Sequence, residues 1–464
     1  MKKNEPSQIT AEQNCVDNSS ANQNRREFLQ RGTAALTAGA VAASAALPQT
    51  AWAKSVHVAG SETIRIGLVG CGGRGTHAAM QALSTKSGPV ILSSIADAFQ
   101  TRVDDAMGSL KENLKERFES QVSVTPDDIH FGFDAFEKVL ASDIDLVILA
   151  TPPGFRPLHF EKAIAAGKHV FMEKPVAVDA PGVRRVMEAS RQAEANGLAV
   201  GVGLQRRHER VYMETIDRLK QGEIGDIVLG RAYWNGDTPW VRNRRPGEGE
   251  LLYQMRNWYF FNWLCGDHIV EQHIHNIDVI NWLKDAYPVK AQGVGGREVR
   301  KGKDHGQIYD HHMIEFTYAD GSKMLSQCRH QPGCWNEVAE YAHGTKGTCS
   351  ITRGVIEKDG QAVFTSRGGR DGTQQELDDL FADLREGRIP NEGYYGALSS
   401  MTAIFGRMAT YSGRELNWDE CYNSQLTLAD VDSIRSMDDE APVQPDENGS
   451  YPIAIPGKNL NLVF

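Results

Sequence analysis

Cysteine is scarce and scattered in this chain, with seven residues in 464 and no CxxC pair. Paired zinc-binding spacings and a dense disulfide framework are therefore excluded, and the remaining thiols are expected to be small buried residues. There is no basic excess either. The chain carries 50 Lys and Arg against 60 Asp and Glu, a net charge of -10, and no basic tract. An extended interface with a nucleic-acid backbone is thus not expected. No apolar run is long enough to span a bilayer, so no stable membrane anchor is expected, and no internal repeat is visible. What remains is a composition of 41% hydrophobic and 24% charged residues, that of a soluble globular protein whose partners are small molecules. The length exceeds one ordinary core and implies two domains with appendages.

Residues 1–53 stand apart. Asn24-Arg25-Arg26-Glu27-Phe28-Leu29-Gln30 precedes a mild apolar segment from Gly32 to Leu47, and Ala51-Trp52-Ala53 has small-x-small form. The segment resembles a twin-arginine export signal, with Asn24 where Ser or Thr is usual. A periplasmic or other extracytoplasmic address is expected. Removal of residues 1–53 takes away five cations and four acids and leaves a charge of -11.

From Thr63 the pattern becomes specific. An apolar run (Ile64, Ile66, Leu68, Val69) leads into Gly70-Cys71-Gly72-Gly73-Arg74-Gly75, then a helix-like stretch and a second apolar run that ends at Asp97. Glycines at this turn let the backbone approach a pyrophosphate, the following helix points its amides at that anion, and Asp97 can accept from a ribose. NAD is expected over NADP, because Asp97 repels a 2′-phosphate and Ala98 and Phe99 offer no cation; Arg74 and Arg102 are the residues able to reverse that choice.

The alternation continues through a strand near Ile129–Phe131, a helix from Phe133 to Ala141, a strand Leu146–Ala150, and His169–Met172 followed by Glu173-Lys174-Pro175. Such a βαβ series implies a mostly parallel sheet whose strand ends face the cofactor. From Gly201 longer β-type segments (Ile227–Trp234, His312–Tyr318, Lys323–Arg329) indicate a second α/β domain with a large, mostly antiparallel open sheet. Thr373 and Glu376 read as a capping box ahead of an apolar face of Leu377, Leu380, Phe381 and Leu384. The expected layout is a signal at 1–53, a Rossmann domain at 62–180, a substrate and oligomerisation domain at 181–435, and a proline-marked extended arm at 436–464.

Chemistry gathers in Gly266-Asp-His-Ile-Val-Glu-Gln-His-Ile-His-Asn-Ile-Asp278. On one continuous helix, Asp267, Glu271, His275 and Asp278 share an arc of roughly 80° while His273 points elsewhere. An imidazole flanked by carboxylates suits a general base. A buried, hydrogen-bonded core histidine is the plainer alternative. Glu271, His275 and His268 have the ligand types for a metal, but their helical spacing does not converge on one ion, so no metal is expected.

Taken together, the glycine-rich turn, Thr151-Pro152-Pro153, Glu173-Lys174-Pro175, the acid-x3-His-x2-Asp helix, Gly344-Thr345-Lys346-Gly347 and Gly406-Arg407 resemble the Gfo/Idh/MocA oxidoreductase family. The resemblance spans Ile64 to about Trp418. It implies a Rossmann domain holding NAD or NADP, and an open sheet that often forms a homo-oligomer, dimer or tetramer. It places Lys174 and His275 in the active site, with Glu271 where the family has Asp and His273 where it has Gly. The expected cofactor contacts are Gly70, Gly72, Gly73, Arg74, Gly75, Asp97, Thr151, Pro152, Glu173 and Lys174. Lys174, Trp258, His273 and Asp278 are expected to meet the substrate.

In the expected reaction His275, oriented by Glu271 or Asp278, takes the hydroxyl proton of a secondary alcohol, and Lys174 stabilises the developing alkoxide. The aromatic-rich stretch of Trp234, Trp240, Tyr253, Trp258, Tyr259, Phe260, Phe261 and Trp263, with Asn235, Asp237, Arg242 and Arg256, suits a sugar, inositol or glycoside. Two alternatives stand beside net oxidation: a glycoside hydrolase working by transient oxidation and elimination, and a non-catalytic sugar- or nucleotide-binding protein. An exported enzyme meets no free NAD pool, which favours a tightly held cofactor.

Overall fold

Short apolar runs separated by amphipathic stretches build a parallel sheet. The computed structural model describes residues 63–369 and 371–464; the twin-arginine segment lies outside them. Strands β1 (Ile64–Val69), β2 (Val90–Asp97), β3 (Ile129–Phe131), β4 (Leu146–Leu149), β5 (His169–Met172) and β6 (Val200–Val202) stand in the order β3-β2-β1-β4-β5-β6. Their neighbours pair in parallel. The order reverses between β1 and β4, and the crevice beyond their C-terminal ends is where a dinucleotide lies in such sheets. Helices α1 (Gly73–Ala82), α2 (Gln100–Leu114), α3 (Ala135–Ala141), α4 (Arg156–Ala165) and α5 (Ala180–Ala195) connect the strands. The sheet does not stop at 180. α5 carries the chain to β6, which pairs with β5 and extends the Rossmann sheet past the expected boundary.

The second sheet contains β7 (Ile227–Gly236), β8 (Lys290–Gly296), β9 (His311–Thr317), β10 (Lys323–His330), β11 (Glu337–Gly344), β12 (Gly347–Ser350), β13 (Val355–Lys358), β14 (Gln361–Thr365) and β15 (Leu416–Asn417). Its order is β14-β13-β12-β11-β7-β10-β9-β8-β15, and only β7 with β10 is parallel. Alternation sorts its faces: Ile314, Phe316, Met324 and Cys328 are buried. The opposite face exposes Val294 and Met313. α6 (Arg210–Lys220), α7 (Glu250–Arg256), α8 (His268–Glu271) and α9 (Ile274–Lys284) follow in the second half, and a Cβ on Gly230 of β7 would lie 2.7 Å from Ile280 of α9.

The late helix α10 (Gly372–Arg385) corrects the sequence reading twice. Its N-cap is Asp371, whose carboxylate accepts from the Thr373 amide, so Thr373 and Glu376 form no capping box. Its apolar face packs with Ile66, Leu68 and Leu110, in the Rossmann core rather than the second sheet. α11 (Gly393–Ser412) runs through the main core. The residues after 436 form turns and irregular segments with one short 3-10 helix, Leu460–Leu462. Of the described cysteines only Cys334 is exposed. No helix among the described residues is long and apolar enough to cross a membrane.

Candidate active site

The glycine-rich turn divides its glycines by space. Gly70 has φ +99°, and a Cβ there would lie 2.5 Å from the Ala150 carbonyl carbon. A Cβ on Gly75 would lie 1.8 Å from the Gly70 oxygen, so this glycine lets α1 sit against β1. Around Gly72 and Gly73 a Cβ would meet nothing within 4 Å. Their amides open α1, so the turn offers donors and room for a pyrophosphate. Asp97 closes the turn through two hydrogen bonds, accepting from Cys71 N at 2.7 Å and Phe99 N at 2.9 Å. Burial raises its carboxyl pKa, against those amides and the nearby Arg102. Each oxygen keeps acceptor capacity for a ribose hydroxyl.

Arg74 and Glu173 face one another instead of a cofactor. Arg74 Nε lies 2.7 Å from Glu173 and its Nη2 3.0 Å from Glu376, a tie from α1 to the end of β5 and to α10. Thr151 Oγ1 pairs with His159 Nδ1 at 3.1 Å, and its carbonyl accepts from Arg156, which also donates to Leu149. Pro152 opens a turn in which Gly154 abuts the Trp263 carbonyl, a Cβ there coming within 2.0 Å. The end of β4 thereby meets the aromatic segment.

Lys174 follows β5 directly. Its Nζ donates to the Glu271 carbonyl at 2.7 Å and to Oε1 at 3.0 Å. The partner of Lys174 is therefore Glu271, while Glu173 belongs to Arg74. The longer side chain of Glu, compared with Asp, is used to span this contact.

The expected single helix from Asp267 to Asp278 is broken. α8 ends at Glu271, and α9 starts at Ile274 after a turn at Gln272 and His273 whose dihedrals stay in the right-handed helical region. Asp267 has φ +76° and leaves the polar stripe altogether. Fully buried, it accepts from His268 N (2.5 Å), His268 Nδ1 (2.7 Å), Tyr309 N (2.9 Å) and Tyr411 Oη (2.5 Å), with His312 Nε2 at 3.3 Å. Burial opposes its ionisation, but His312 and His268 outweigh that and hold the carboxyl well below its usual range. Asp267, His268 and His312 bring ligand-type atoms within 4.8 Å of one another. The donors around Asp267 already fill its lone pairs, and the cluster reads as a hydrogen-bonded brace.

Asp278 is a second correction. It makes a two-pronged pair with Arg207, 2.8 Å at each oxygen, and accepts from Ser399 at 2.7 Å. It is buried, and its hydrogen bonds run to Arg207 and Ser399 and not to His275. His273 is corrected as well. Entirely buried, it bonds Ser326 at 2.8 Å and Asn276 at 3.3 Å, and burial lowers it to about 3. Its bulk lies against β10, with both ring nitrogens engaged by protein partners.

His275 lies in the first turn of α9, without the orienting partners expected of it. Its Nδ1 is buried without a hydrogen-bond partner, and its ring lies over Trp234 at 6.0 Å and 22°. Burial, then the charges of Lys174, Arg206 and Arg74, push it well below the ordinary 6.5. A neutral imidazole with an unfilled nitrogen beside an ammonium can accept a proton. Tyr259, also buried, is raised by burial and by the charge of the adjacent Glu271, with which its hydroxyl interacts. Trp258 is half-buried, 5.5 Å from Tyr259.

Sequence reasoning missed the supports. Glu340 of β11 is fully buried and accepts from Arg206, Asn276 (2.6 Å), Tyr212 (3.1 Å) and Thr352 (2.7 Å). It fixes the start of α9 and hence His275. Gln272 Oε1 accepts from His330 Nε2 at 2.7 Å. No local motif marks these residues, because each pair is far apart in sequence.

The parallel sheet with a nucleotide turn and a lysine–histidine site defines a Rossmann-type oxidoreductase. Residues 64–204 match the family model described as "Oxidoreductase family, NAD-binding Rossmann fold", and residues 212–350 match "GFO/IDH/MocA C-terminal domain". The chain belongs to the Gfo/Idh/MocA oxidoreductase family. Among similar proteins, an inositol 2-dehydrogenase of Gluconacetobacter diazotrophicus is 32% identical over 171 residues, 37% of this chain and 44% of that protein. The chain thus spans less than half of that relative. An inositol 2-dehydrogenase of Acidiphilium cryptum is 25% identical over 359 residues, 74% of this chain and 93% of that protein. In fold the chain resembles scyllo-inositol dehydrogenase from Lactobacillus casei with bound NAD(H) and scyllo-inositol, with TM-score 0.59, 20% identity, and coverage of 77% of this chain and all of that one.

Proposed function

We propose that this protein transfers hydride between a secondary alcohol of a sugar, inositol or glycoside and a tightly bound NAD. The observation that carries the reading is Lys174, held by Glu271 at the end of β5 with the neutral, buried His275 beside it. Gly72, Gly73 and the start of α1 would hold the pyrophosphate, and Asp97 the ribose. When bound, the nicotinamide supplies the hydride acceptor.

Lys174 has three N–H donors, and Glu271 takes two, leaving one for the substrate oxygen. That donor stabilises negative charge as the hydroxyl proton leaves. His275 accepts the proton through its imidazole. Glu271 positions the ammonium, and Tyr259 and Trp234 wall the site from water. The choice of NAD is supported by Arg74, whose guanidinium is committed to Glu173 and Glu376. The relatives' names support a polyol or sugar as substrate. The twin-arginine-like segment supports export, and the apolar outer face of the second sheet supports a homo-oligomer.

The test is mass spectrometry of the cofactor released from purified protein, followed by a screen of sugars, polyols and glycosides for reduced nicotinamide and keto products. NAD and a keto product are expected. NADP alone overturns the role of Asp97; NAD-loaded protein inert to every alcohol overturns the activity.

A further inference from the structure

The aromatic segment between β7 and α8 is almost wholly buried. Tyr253, Phe260 and Phe261 are inaccessible, and Trp263 is nearly so. It is also firmly held. Trp263 Nε1 donates to Gln254 at 2.8 Å, Gln254 donates to the Val443 carbonyl at 2.6 Å, and Tyr451 of the arm donates to Glu250 at 2.6 Å. Against this background Trp240 is an exception, 42% exposed.

The loop that carries Trp240 is tied at both ends. Thr238 Oγ1 donates to the His330 carbonyl at 3.1 Å, and His330 bonds Gln272, the residue after Glu271. The Arg242 amide donates to Asn257 Oδ1 at 3.1 Å. Behind Trp240 stand Trp258 at 6.2 Å, Tyr259 at 6.3 Å and Phe260 at 6.4 Å. The Arg242 guanidinium lies over the indole, 5.0 Å from its centroid, exposed and without a carboxylate partner among the described residues. Tyr259 bridges the two places, because it touches Trp240 on one side and feels Glu271 on the other. Trp240 is thus one aromatic side chain removed from the Lys174–Glu271 pair.

We propose that Trp240, Trp258 and Arg242 form a second subsite, which receives the sugar unit linked to the ring that lies at Lys174. The substrate is then a glycoside of at least two rings rather than a free sugar or inositol. Indole surface takes the apolar face of the second ring, and the guanidinium donates to its hydroxyl rim. This rests on the reading of the main site as a sugar oxidoreductase.

Calorimetric titration of the NAD-loaded protein tests it, using disaccharides of gluco, galacto and manno configuration beside the matching monosaccharides. At least one disaccharide should bind about tenfold more tightly than its monosaccharide, the effect of one good aromatic contact. Trp240→Ala should erase that ratio, and Trp240→Phe should retain most of it, with NAD content and melting temperature showing that both are folded. Arg242→Ala, at an exposed position, repeats the comparison without touching the packed segment. Equal affinities, no binding by any disaccharide, or a ratio that survives both alanine variants overturns the subsite. Nicotinamide reduction is measured separately in the same samples. Binding preference without any reduction would leave the subsite standing and remove the oxidoreductase reading.

Discussion

Glu271 takes two of the three donors of Lys174, and this division of one ammonium between a carboxylate and a substrate is the smallest unit of the proposed mechanism. His275→Ala should slow hydride transfer by about 10² to 10⁴ while leaving NAD content unchanged, as loss of a general base does. Because burial and the Lys174 charge hold His275 well below 6.5, it is already deprotonated near neutrality. The rate should therefore show no imidazole limb between about pH 6 and 9, and a limb at 6 to 7 that disappears in His275→Ala would contradict the depressed value. Asp278 makes the opposite prediction. Its bonds run to Arg207 and Ser399, so Asp278→Asn should lower stability by about 3–5 kcal/mol, the cost of breaking a buried pair, with the hydride rate of the folded fraction retained. Chemical denaturation beside single-turnover rates separates the two.

Elements were legible where their periodicity is local. The strands β1 to β5 and the nucleotide turn follow from apolar runs and glycine spacing alone, and the two crowded glycines make a direct check. Gly75→Ala, with its Cβ driven to 1.8 Å from a backbone oxygen, should abolish folding or cofactor retention, whereas Gly73→Ala has room and should fold with weakened NAD binding. The helix carrying the site was legible in content but not in shape. Periodicity cannot show that Asp267 takes φ +76° and that the helix restarts at Ile274, since these follow from the remote partners Tyr309, Tyr411, His312 and Ser326. For the same reason Glu376 read as a cap when its partner, Arg74, lies across the fold. α10 is also fastened by His208, placed 2.7 Å from Asp379 and 3.1 Å from Glu392. Burial opposes its charge, but these acids raise it to about 10 from 6.5. A raised histidine stabilises fully below its unfolded value and loses that contribution as pH rises through its folded one. Stability should therefore decline from about pH 6.5 to 10, and His208→Gln should flatten that decline in thermal melts.

At the scale of the whole molecule, the Rossmann sheet supplies the nucleotide turn and Lys174, while the second half supplies Glu271 and His275, so neither half holds a complete site. The twin-arginine reading belongs to this scale too. Replacing Arg25 and Arg26 by Lys should retain the protein in the cytoplasm, as judged by fractionation, and efficient export of that variant would remove the address. Export also bears on turnover, because a protein away from the NAD pool must keep its cofactor through the reaction. The central claim is hydride transfer from a sugar alcohol to bound nicotinamide, assisted by Lys174 and His275. Its most direct measurement is stopped-flow absorbance of the as-purified, NAD-loaded protein mixed with sugars, polyols and glycosides, wild type beside His275→Ala and Lys174→Ala. The account predicts reduced nicotinamide within a single turnover in the wild type and at least about a hundredfold slower formation in both variants. Equal rates in all three proteins, or no reduction in an NAD-loaded wild type with any alcohol, would contradict it.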